Sequence, residues 1–325
     1  MTSFRVVLTD FTDPHQHIET DVFNRSGLDI TLVRAEPGTD RDLAILAPLA
    51  DALLVQFAQV RKDVIDSLQN CKVISRYGIG VDMIDLEAAA ARGIPVANVP
   101  DFCIDEVSTQ TIGFLIDLNR HTYELADYVR TGGWGHRPVS VAAPRRVAGQ
   151  VLGIVGLGAI GREVARKASA LGLSVLAYDP YVESAPAGIA LVDLDTLLQR
   201  SDYVTLHCPL VPQTRGLINA AAFAQMKPTA YLLNLSRGPV VDQDALLAAL
   251  TDGSIAGAAV DVLTTEPPAV DDPLLRLPNL LVTPHSSSWS AESSDQLRHD
   301  AASNIVEALS GRLPRSIVNR SLLRL

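Results

Sequence analysis

The feature that most constrains the fold of this chain is a glycine-rich turn between an apolar run and a helix-like run. Residues 151–155 have the composition of a buried strand, and Gly156, Gly158 and Gly161 follow with G-x-G-x-x-G spacing. Gly156 permits a tight turn, Gly158 lets the backbone approach a pyrophosphate, and Gly161 allows the helix to pack closely on the strand. The order of strand, turn and helix therefore predicts a dinucleotide-binding unit.

The residues around this turn also indicate which dinucleotide is bound. Backbone N–H groups at the start of the helix, at Ala159 and Ile160, would face the phosphates. The next predicted strand, 173–178, ends at Asp179, where a carboxylate hydrogen-bonds the ribose hydroxyl pair and repels a 2′-phosphate. The following Tyr181 supplies no cation for such a phosphate. The sequence therefore predicts NAD rather than NADP.

Short β-branched runs alternate with helical stretches along almost the whole chain, which is typical of parallel sheets covered by helices on both faces. One series of strands is predicted at 5–8, 30–33, 53–57, 73–75 and 95–97, and a second at 151–155, 174–178, 203–207, 231–235, 258–262 and 280–283. The segment 105–130 has the spacing of a long helix or a helix pair, and 290–309 is also helical. The remaining tail is too short for a core of its own, so we expect it to fold back onto the first series and make the first domain discontinuous.

Composition excludes several classes of protein. The 27 Lys and Arg against 37 Asp and Glu give a net charge of −10, so no basic field attracts nucleic acid or anionic lipid. No apolar run reaches the ~18 residues of a membrane span, and the first residues lack the pattern of a secretory signal. Cys71, Cys103 and Cys208 fit neither a disulfide framework nor a zinc site. We therefore expect a cytoplasmic protein without a metal.

Three charged or titratable residues follow predicted strands of the second series. Arg237 follows 231–236, Glu266 follows 258–265, and His285 follows 280–284, where an open parallel sheet places its ligands. Each alone has an ordinary explanation as a surface ion pair, a loop charge or a turn residue. Together they suit reduction of a keto acid. A guanidinium binds the carboxylate and polarises the carbonyl, while an imidazolium supported by a carboxylate donates a proton near neutral pH.

With these motifs in place, the sequence resembles the D-isomer-specific 2-hydroxy-acid dehydrogenase family over nearly its full length. The stretches that carry the resemblance are 156–161, 206–210, 226–228, 234–242, 257–262, 266–268 and 283–285. The resemblance implies two doubly wound α/β domains: a Rossmann NAD-binding domain, 100–286, inserted into a flavodoxin-like substrate domain, 1–99 plus 287–325. It also implies a homodimer built on the nucleotide-binding domains.

The resemblance assigns roles to individual residues. Arg237 would bind substrate, Glu266 would pair with His285, and His285 would be the acid/base. Further contacts of NAD would come from Gln110, Thr214, Asp261 and the backbone of Cys208 and Ser236. The substrate would meet a glycine-rich loop, with contacts at Arg76, Tyr77, Gly78 and Ile79 and an anion-binding nest from the N–H groups of Gly78 and Ile79; Trp289 is a candidate wall for the substrate.

The expected function is NAD-dependent interconversion of a 2-keto acid and a 2-hydroxy acid, with D stereochemistry implied by the resemblance alone. Segments 98–107 and 285–290 resemble the branch that contains the C-terminal-binding-protein corepressors, and phosphoglycerate dehydrogenases are also similar. An NAD(H)-sensing corepressor is thus an alternative, although the complete Arg237, Glu266 and His285 set argues against it. Phosphite oxidation on the same fold is another alternative. The substrate, the direction of reaction and the roles of Ser286, Ser287 and Ser288 stay open.

Overall fold

A computed structural model describes residues 3–10, 15–35, 40–135 and 143–323 of the chain. The chain divides into two units. The first consists of Met1–Phe102 and Ser290–Leu325, and the second of Cys103–Trp289. The second unit is thus an insertion in the sequence of the first. Both junctions lie a few residues beyond the positions expected from the sequence, which were 99/100 and 286/287.

In the first unit, the described residues form one sheet of five parallel strands. The strands are β1 (Ser3–Leu8), β2 (Asp29–Arg34), β3 (Ala52–Val55), β4 (Val73–Arg76) and β5 (Val96–Ala97). Their order across the sheet is β2-β1-β3-β4-β5, which is the flavodoxin-like order. Every residue of β3 and β4 is buried, as expected for strands covered on both faces.

Four helices of this unit precede the insertion within the described residues. They are α1 (His17–Ser26), α2 (Asp40–Leu46), α3 (Lys62–Ser67) and α4 (Leu86–Ala91), and a short 3₁₀ helix spans Ala47–Leu49. The core of the unit includes Val7, Leu53, Ile65 and Ile74, which have no exposed surface. Burial of these apolar side chains is the main force that holds the helices on the sheet.

In the second unit, the described residues form a sheet of seven parallel strands. The strands are β6 (Val151–Val155), β7 (Ser174–Tyr178), β8 (Ile189–Leu191), β9 (Tyr203–Leu206), β10 (Tyr231–Asn234), β11 (Gly257–Val260) and β12 (Leu280–Val282). The order is β12-β11-β10-β9-β6-β7-β8, so the strand order reverses between β6 and β9. This is the Rossmann order with one more strand, and the predicted fold class is confirmed.

The helices of the second unit begin with a pair. The described helices are α5 (Ile104–Arg120), α6 (Thr122–Arg130), α7 (Ala159–Ala170), α8 (Leu194–Arg200), α9 (Ala220–Gln225) and α10 (Gln243–Thr251). His121, with φ of 55°, separates α5 from α6, so of the two predicted alternatives, a long helix or a helix pair, the structure has the helix pair. None of the helices in the described ranges has both the length and the apolar character that crossing a membrane requires.

After the insertion the chain returns to the first unit in α11 (Ala291–Leu309), which starts with a capping box between Ser290 and Ser293. The Ser75 hydroxyl at the end of β4 donates to the Ala301 carbonyl of this helix, 2.8 Å away. Beyond α11, Ile317 forms an antiparallel bridge with Ala97 of β5. The C-terminal segment therefore packs on the first unit, as the sequence predicts.

The strand β8 is absent from the sequence-based prediction. It has only three residues, lies at the edge of the sheet, and is half-exposed or exposed along its length. Such a strand shows neither the apolar run of a buried strand nor a full period of alternation. Its pairing with β7 along the register from Val175 to Ala177 is what defines it.

Asp202, at the amino-terminal end of β9, ties several elements of the second unit together. Its carboxylate accepts hydrogen bonds from Val151 N (2.9 Å), Lys227 Nζ (3.0 Å) and Arg145 NH1 (3.1 Å). Burial raises the pKa of this carboxyl, but the hydrogen bonds and charges of these partners outweigh burial, and the pKa lies below its ordinary value. The carboxylate thus stabilises the folded state when it is ionised.

We predict that Asp202→Asn lowers the free energy of unfolding at pH 7 by roughly 1–3 kcal/mol. Folding lowers the pKa of Asp202. The contribution of this carboxylate to the free energy of unfolding is therefore present above the ordinary pKa of about 4 and is lost as the pH falls below it. Denaturant unfolding across this range would measure the difference, with Asp271→Asn on an exposed loop as a control that changes little. A difference that does not shrink as the carboxyl is protonated would contradict the prediction.

Candidate active site

The glycine turn after β6 has the geometry that close packing and an anion require. Gly156 has φ of 95°, and a Cβ there would lie 2.7 Å from the backbone N of Cys208. A Cβ on Gly161 would lie 2.2 Å from the carbonyl oxygen of Gly156. By contrast, a Cβ on Gly158 would meet nothing within 4 Å. A side chain on the first or third glycine would therefore clash with the protein backbone, whereas the second glycine faces space that a ligand can occupy.

The start of α7 provides the groups that a pyrophosphate needs. Gly158 is the N-cap of the helix and carries no side chain to bond the first N–H groups. Those groups, at Ala159 and Ile160, point along the positive end of the helix dipole. The donor set of the turn therefore fits the phosphates of a dinucleotide.

Asp179 lies beside this turn at the end of β7. One carboxylate oxygen accepts from Leu157 N and the other from Tyr181 N, each at 2.9 Å. Leu157 stands between two of the motif glycines, so the bond fixes the carboxylate next to the phosphate-binding backbone. Each oxygen retains a further lone pair for a ribose hydroxyl.

The other residues predicted to touch the cofactor occupy different surroundings. Cys208 is buried against Gly156, and burial raises the pKa of its thiol to about 11. Ser236 follows β10, and its N–H and hydroxyl both bond Asn234 Oδ1. The Thr214 hydroxyl bonds within its own turn, and Gln110 is half-buried on α5. Among the described hydrogen bonds, none joins Thr214 or Gln110 to the glycine turn.

The three predicted catalytic residues follow three adjacent strands. Arg237 comes after β10, Glu266 after β11 and His285 after β12, and these strands are neighbours in the sheet. Because the strands are parallel, their carboxyl ends lie at one edge. The sheet therefore brings the loops that carry a guanidinium, a carboxylate and an imidazole to the same edge.

Glu266 and His285 form a direct pair. Nδ1 of His285 lies 2.7 Å from Oε2 of Glu266, and Oε1 of Glu266 accepts from Leu263 N at 2.9 Å. Partial burial raises the pKa of Glu266, but the hydrogen bond and charge of His285, followed by the Leu263 N–H and the charge of Arg237, lower it below its ordinary value. The carboxylate is thus held ionised beside the imidazole.

The backbone that carries His285 is clamped by Asp261. The loop bends sharply, with φ of 52° at His285, whose N–H donates to the Asp261 carbonyl at 2.8 Å. The buried Asp261 carboxylate accepts from the Thr283 hydroxyl and from the backbone N–H groups of Ser286 and Ser287, the latter two at 2.9 Å. The sequence resemblance implied only a cofactor contact for Asp261. Its position directly after a buried strand was the signal for this second role.

Arg237 is positioned by the turn that follows β10. Its NH1 donates to the Ser236 carbonyl at 2.9 Å, and its own carbonyl accepts from Asn234 Nδ2 at 3.0 Å. The 3₁₀ helix Gly238–Val240 begins directly after it, and a Cβ on Gly238 would lie 2.1 Å from the backbone of Leu263. The loops after β10 and β11 are therefore in close contact.

In the first unit, the glycine-rich loop after β4 differs in detail from the sequence prediction. The Gly78 N–H, predicted to bind an anion, donates to the Arg76 carbonyl at 3.0 Å. Among the described hydrogen bonds, none uses the N–H of Ile79 or Gly80. The Tyr77 side chain is buried, with its hydroxyl bonded to Glu19, which leaves only its backbone for a ligand. Of the predicted N–H pair, that of Gly78 is thus bonded within the loop, and the binding of an anion by this loop stays a prediction.

Arg76 and Trp289 contrast in exposure. The Arg76 side chain is buried, and its NH1 lies 1.3 Å from the point where a Gly78 Cβ would stand, so the guanidinium covers that glycine. Trp289 is 78% exposed, and its N–H donates to the Ser286 carbonyl. Ser287 is buried within the same turn.

The described residues show no cluster of three or more His, Cys, Asp or Glu side chains placed to hold a metal ion. Cys71, Cys103 and Cys208 form no disulfide among the described residues. His207, at the end of β9, has its Nε2 2.9 Å from the Thr205 hydroxyl, and burial lowers its pKa to about 3. This histidine is therefore a neutral packing residue near pH 7.

Comparison with known proteins agrees with this geometry. Residues 112–287 match the model of the D-isomer specific 2-hydroxyacid dehydrogenase, NAD binding domain. A glyoxylate reductase of Thermofilum pendens is 38% identical over 281 residues, which cover 84% of this chain and 83% of the relative. The TT0316 protein from Thermus thermophilus superposes with a TM-score of 0.87 and 33% identity over 97% of this chain and 99% of that one.

A D-3-phosphoglycerate dehydrogenase of Mycobacterium bovis is also 38% identical, over 292 residues that cover 88% of this chain and 54% of the relative. The chain thus spans about half the length of that relative. These matches show that the chain belongs to the D-isomer-specific 2-hydroxyacid dehydrogenase family. It is an NAD-binding oxidoreductase of that family, and the predictions of family, fold class, enzyme class and cofactor are confirmed.

We predict that Gly161→Ala weakens NADH binding by about tenfold or more, because its Cβ would collide with the Gly156 carbonyl and open the turn. Titration of NADH fluorescence measures the dissociation constant. Gly113→Ala is the matched control, because this glycine lies within α5 and a Cβ there meets nothing within 4 Å. Equal NADH affinities of the two variants would contradict the prediction.

Proposed function

We propose that this protein interconverts a small 2-keto acid and the corresponding D-2-hydroxy acid, with His285 as acid/base, Glu266 as its partner and Arg237 as the substrate-binding cation. The observation that carries the proposal is the 2.7 Å contact between His285 Nδ1 and Glu266 Oε2 on loops adjacent to that of Arg237. Similarity to a glyoxylate reductase supports a substrate of this class.

The pair of His285 and Glu266 can move a proton in either direction. NADH, when bound, supplies the hydride that reduces the carbonyl carbon. The Glu266 carboxylate accepts Nδ1–H and so stabilises the imidazolium, while Nε2, at the far side of the ring, donates its proton to the developing alkoxide. In the oxidation direction, neutral His285 accepts the hydroxyl proton at the same nitrogen.

Arg237 suits the anionic end of a keto acid. The guanidinium offers a planar set of donors that polarises a carbonyl or binds a carboxylate. Within the first unit, we propose that the N–H groups of Ile79 and Gly80, which have no partner among the described hydrogen bonds, bind an anion, because successive backbone N–H groups form an anion-binding concavity.

A panel of 2-keto acids tests the proposal directly. Glyoxylate, hydroxypyruvate, pyruvate, branched-chain 2-keto acids and 3-phosphohydroxypyruvate are mixed with NADH, and loss of NADH absorbance reports turnover. We expect reduction of at least one non-phosphorylated acid. Absence of NADH-dependent turnover across the whole panel would refute the function.

We predict that His285→Gln lowers kcat/KM by about 10²- to 10⁴-fold while NADH binding is kept. Glu266→Gln should lower kcat/KM by about tenfold or more, because a neutral amide in place of the carboxylate stabilises the imidazolium that donates the proton less well. A kcat/KM of Glu266→Gln equal to that of the parent would exclude this role for Glu266.

We also propose that two copies associate through α6 and Trp134, which lies four residues beyond the end of the helix. This helix has no buried residue, and it exposes Tyr123 and Val129, with the exposed Trp134 shortly after it. Exposed apolar side chains on one short segment favour a partner surface over solvent. A second copy is the occupant that the family resemblance implies.

We predict that the double variant Val129→Glu and Trp134→Glu sediments as a monomer, whereas the parent sediments as a dimer. The charges would have to be buried in the interface, which is costly. Val270→Glu serves as the control, because this valine is 98% exposed on another loop of the same unit. A dimer that survives the double substitution would place the interface elsewhere.

A further inference from the structure

The two peptide groups that follow Gly156 in the turn after β6 are each held by one side chain. The Leu157 N–H, which belongs to the first peptide, donates to Asp179 Oδ2 at 2.9 Å. The Leu157 carbonyl, which belongs to the second peptide, accepts from Arg162 Nε at 3.0 Å. The Leu157 side chain is fully buried. A carboxylate and a guanidinium therefore fix the residue that lies between the first two glycines of the turn.

The hydrogen bond from Arg162 determines the direction of the Gly158 N–H. A trans peptide is planar, and its carbonyl oxygen and its amide hydrogen lie on opposite sides. Because Arg162 holds the Leu157 carbonyl, the N–H of the same peptide points away from the guanidinium. Gly158 is exposed, and none of the described hydrogen bonds uses its N–H. This N–H is therefore available to a ligand.

The glycine after this peptide makes a second orientation of the peptide accessible. Rotation of a peptide by about 180° exchanges the directions of its C=O and N–H and changes mainly ψ of the residue before it and φ of the residue after it. Gly158 has φ of −74° and, without a Cβ, can also adopt the positive φ that such a rotation requires. Steric exclusion by a side chain does not select the observed orientation, so a hydrogen bond to the carbonyl is needed for that purpose.

Arg162 occupies an unusual position for a cation. It is the fourth residue of α7, near the positive end of the helix dipole. No acidic residue lies in the first turn of α7, whereas most of the other described helices have one. The described ion pairs of α7 are formed by Arg166 and Lys167 with Glu163 and Asp105, and Arg162 takes part in none of them. An anion at the start of the helix would offset the repulsion between Arg162 and the dipole.

We propose that Arg162 is a positioning residue for the cofactor: its hydrogen bond to the Leu157 carbonyl directs the Gly158 N–H toward the pyrophosphate of NAD. The chain belongs to an NAD-binding family, so this inference does not depend on the proposed reaction. Arg162 acts through the orientation of the peptide, and Asp179 fixes the preceding peptide in the same way. Donors that are oriented before binding receive an anion without reorganisation.

The test separates the hydrogen bond of Arg162 from its charge. Arg162→Gln removes the charge but keeps an N–H donor, because the glutamine Nε2 is separated from Cα by as many bonds as the arginine Nε. Arg162→Met keeps an apolar stem and removes both the donor and the charge. We expect the NADH dissociation constant of the full chain, measured by fluorescence titration, to rise by about five- to tenfold in Arg162→Met and to stay within about twofold of the parent value in Arg162→Gln.

ADP-ribose and adenosine show whether the effect lies at the pyrophosphate. ADP-ribose carries a pyrophosphate and adenosine does not, and both are measured by competition against NADH fluorescence. Arg162→Met should weaken ADP-ribose by the same factor as NADH and leave adenosine affinity unchanged. Equal losses of affinity for ADP-ribose and adenosine would indicate a general distortion of the site and would overturn the positioning role.

The matched control is Arg166→Met, one turn later on α7. The side chain of Arg166 is 68% exposed and forms two hydrogen bonds with Glu163, at 2.9 and 2.6 Å. This substitution changes the net charge by the same amount as Arg162→Met, and NADH affinity should stay at the parent value. The melting temperature of the ligand-free protein should change little in both Arg162 variants, because Arg162 is exposed.

Two further results would count against the role of Arg162. Parent-like NADH affinity in Arg162→Met would show that the hydrogen bond to Leu157 does not contribute to binding. Equal weakening in Arg162→Met and Arg162→Gln would assign the effect to the charge of the guanidinium instead of the orientation of the peptide. Should Arg162→Met fail to fold, Arg162→Ala takes its place in the comparison, because alanine is the best helix former.

Discussion

The parallel strands of both sheets determine where the chemistry of this protein can lie. In each unit the connecting helices return every strand to the same direction, so all loops after strands emerge at one edge. At that edge backbone N–H groups and helix N-termini face outward, which makes it electropositive without any cationic side chain. The turn after β6, the loops after β10 to β12 and the loop after β4 are examples of this single constraint.

Carboxylates are the counterpart of those N–H groups. Asp179 and Asp261 each accept from two backbone N–H groups at the carboxyl edge, and Asp202 accepts from one at the opposite edge. In each case a charge is neutralised by donors of the main chain rather than by a cation alone. This arrangement fixes the geometry of the loops. The loop bound by Asp261 carries His285, so these hydrogen bonds also fix the backbone of the candidate acid/base.

The sequence predicted most of the fold because the features that define it are local. Apolar runs of four or five residues identified the buried strands, and the spacing of Gly156, Gly158 and Gly161 identified the turn. The edge strand β8 was missed because half-exposed residues carry no such pattern. The Gly78 N–H is bonded to the Arg76 carbonyl, and the buried Tyr77 hydroxyl is bonded to Glu19, which is distant in the chain. No local pattern encodes a contact of that kind.

The discontinuity of the first unit has a consequence for biosynthesis. All seven described strands of the inserted unit are made before α11, whereas the sheet of the first unit must wait for that helix to cover it. On a ribosome the early strands β1 to β5 leave the exit tunnel without Arg298, whose partner Glu19 then has no buried cation to meet. Vectorial synthesis therefore separates the two halves of one core by an entire nucleotide-binding unit, and the first core is completed only after the second unit has been translated.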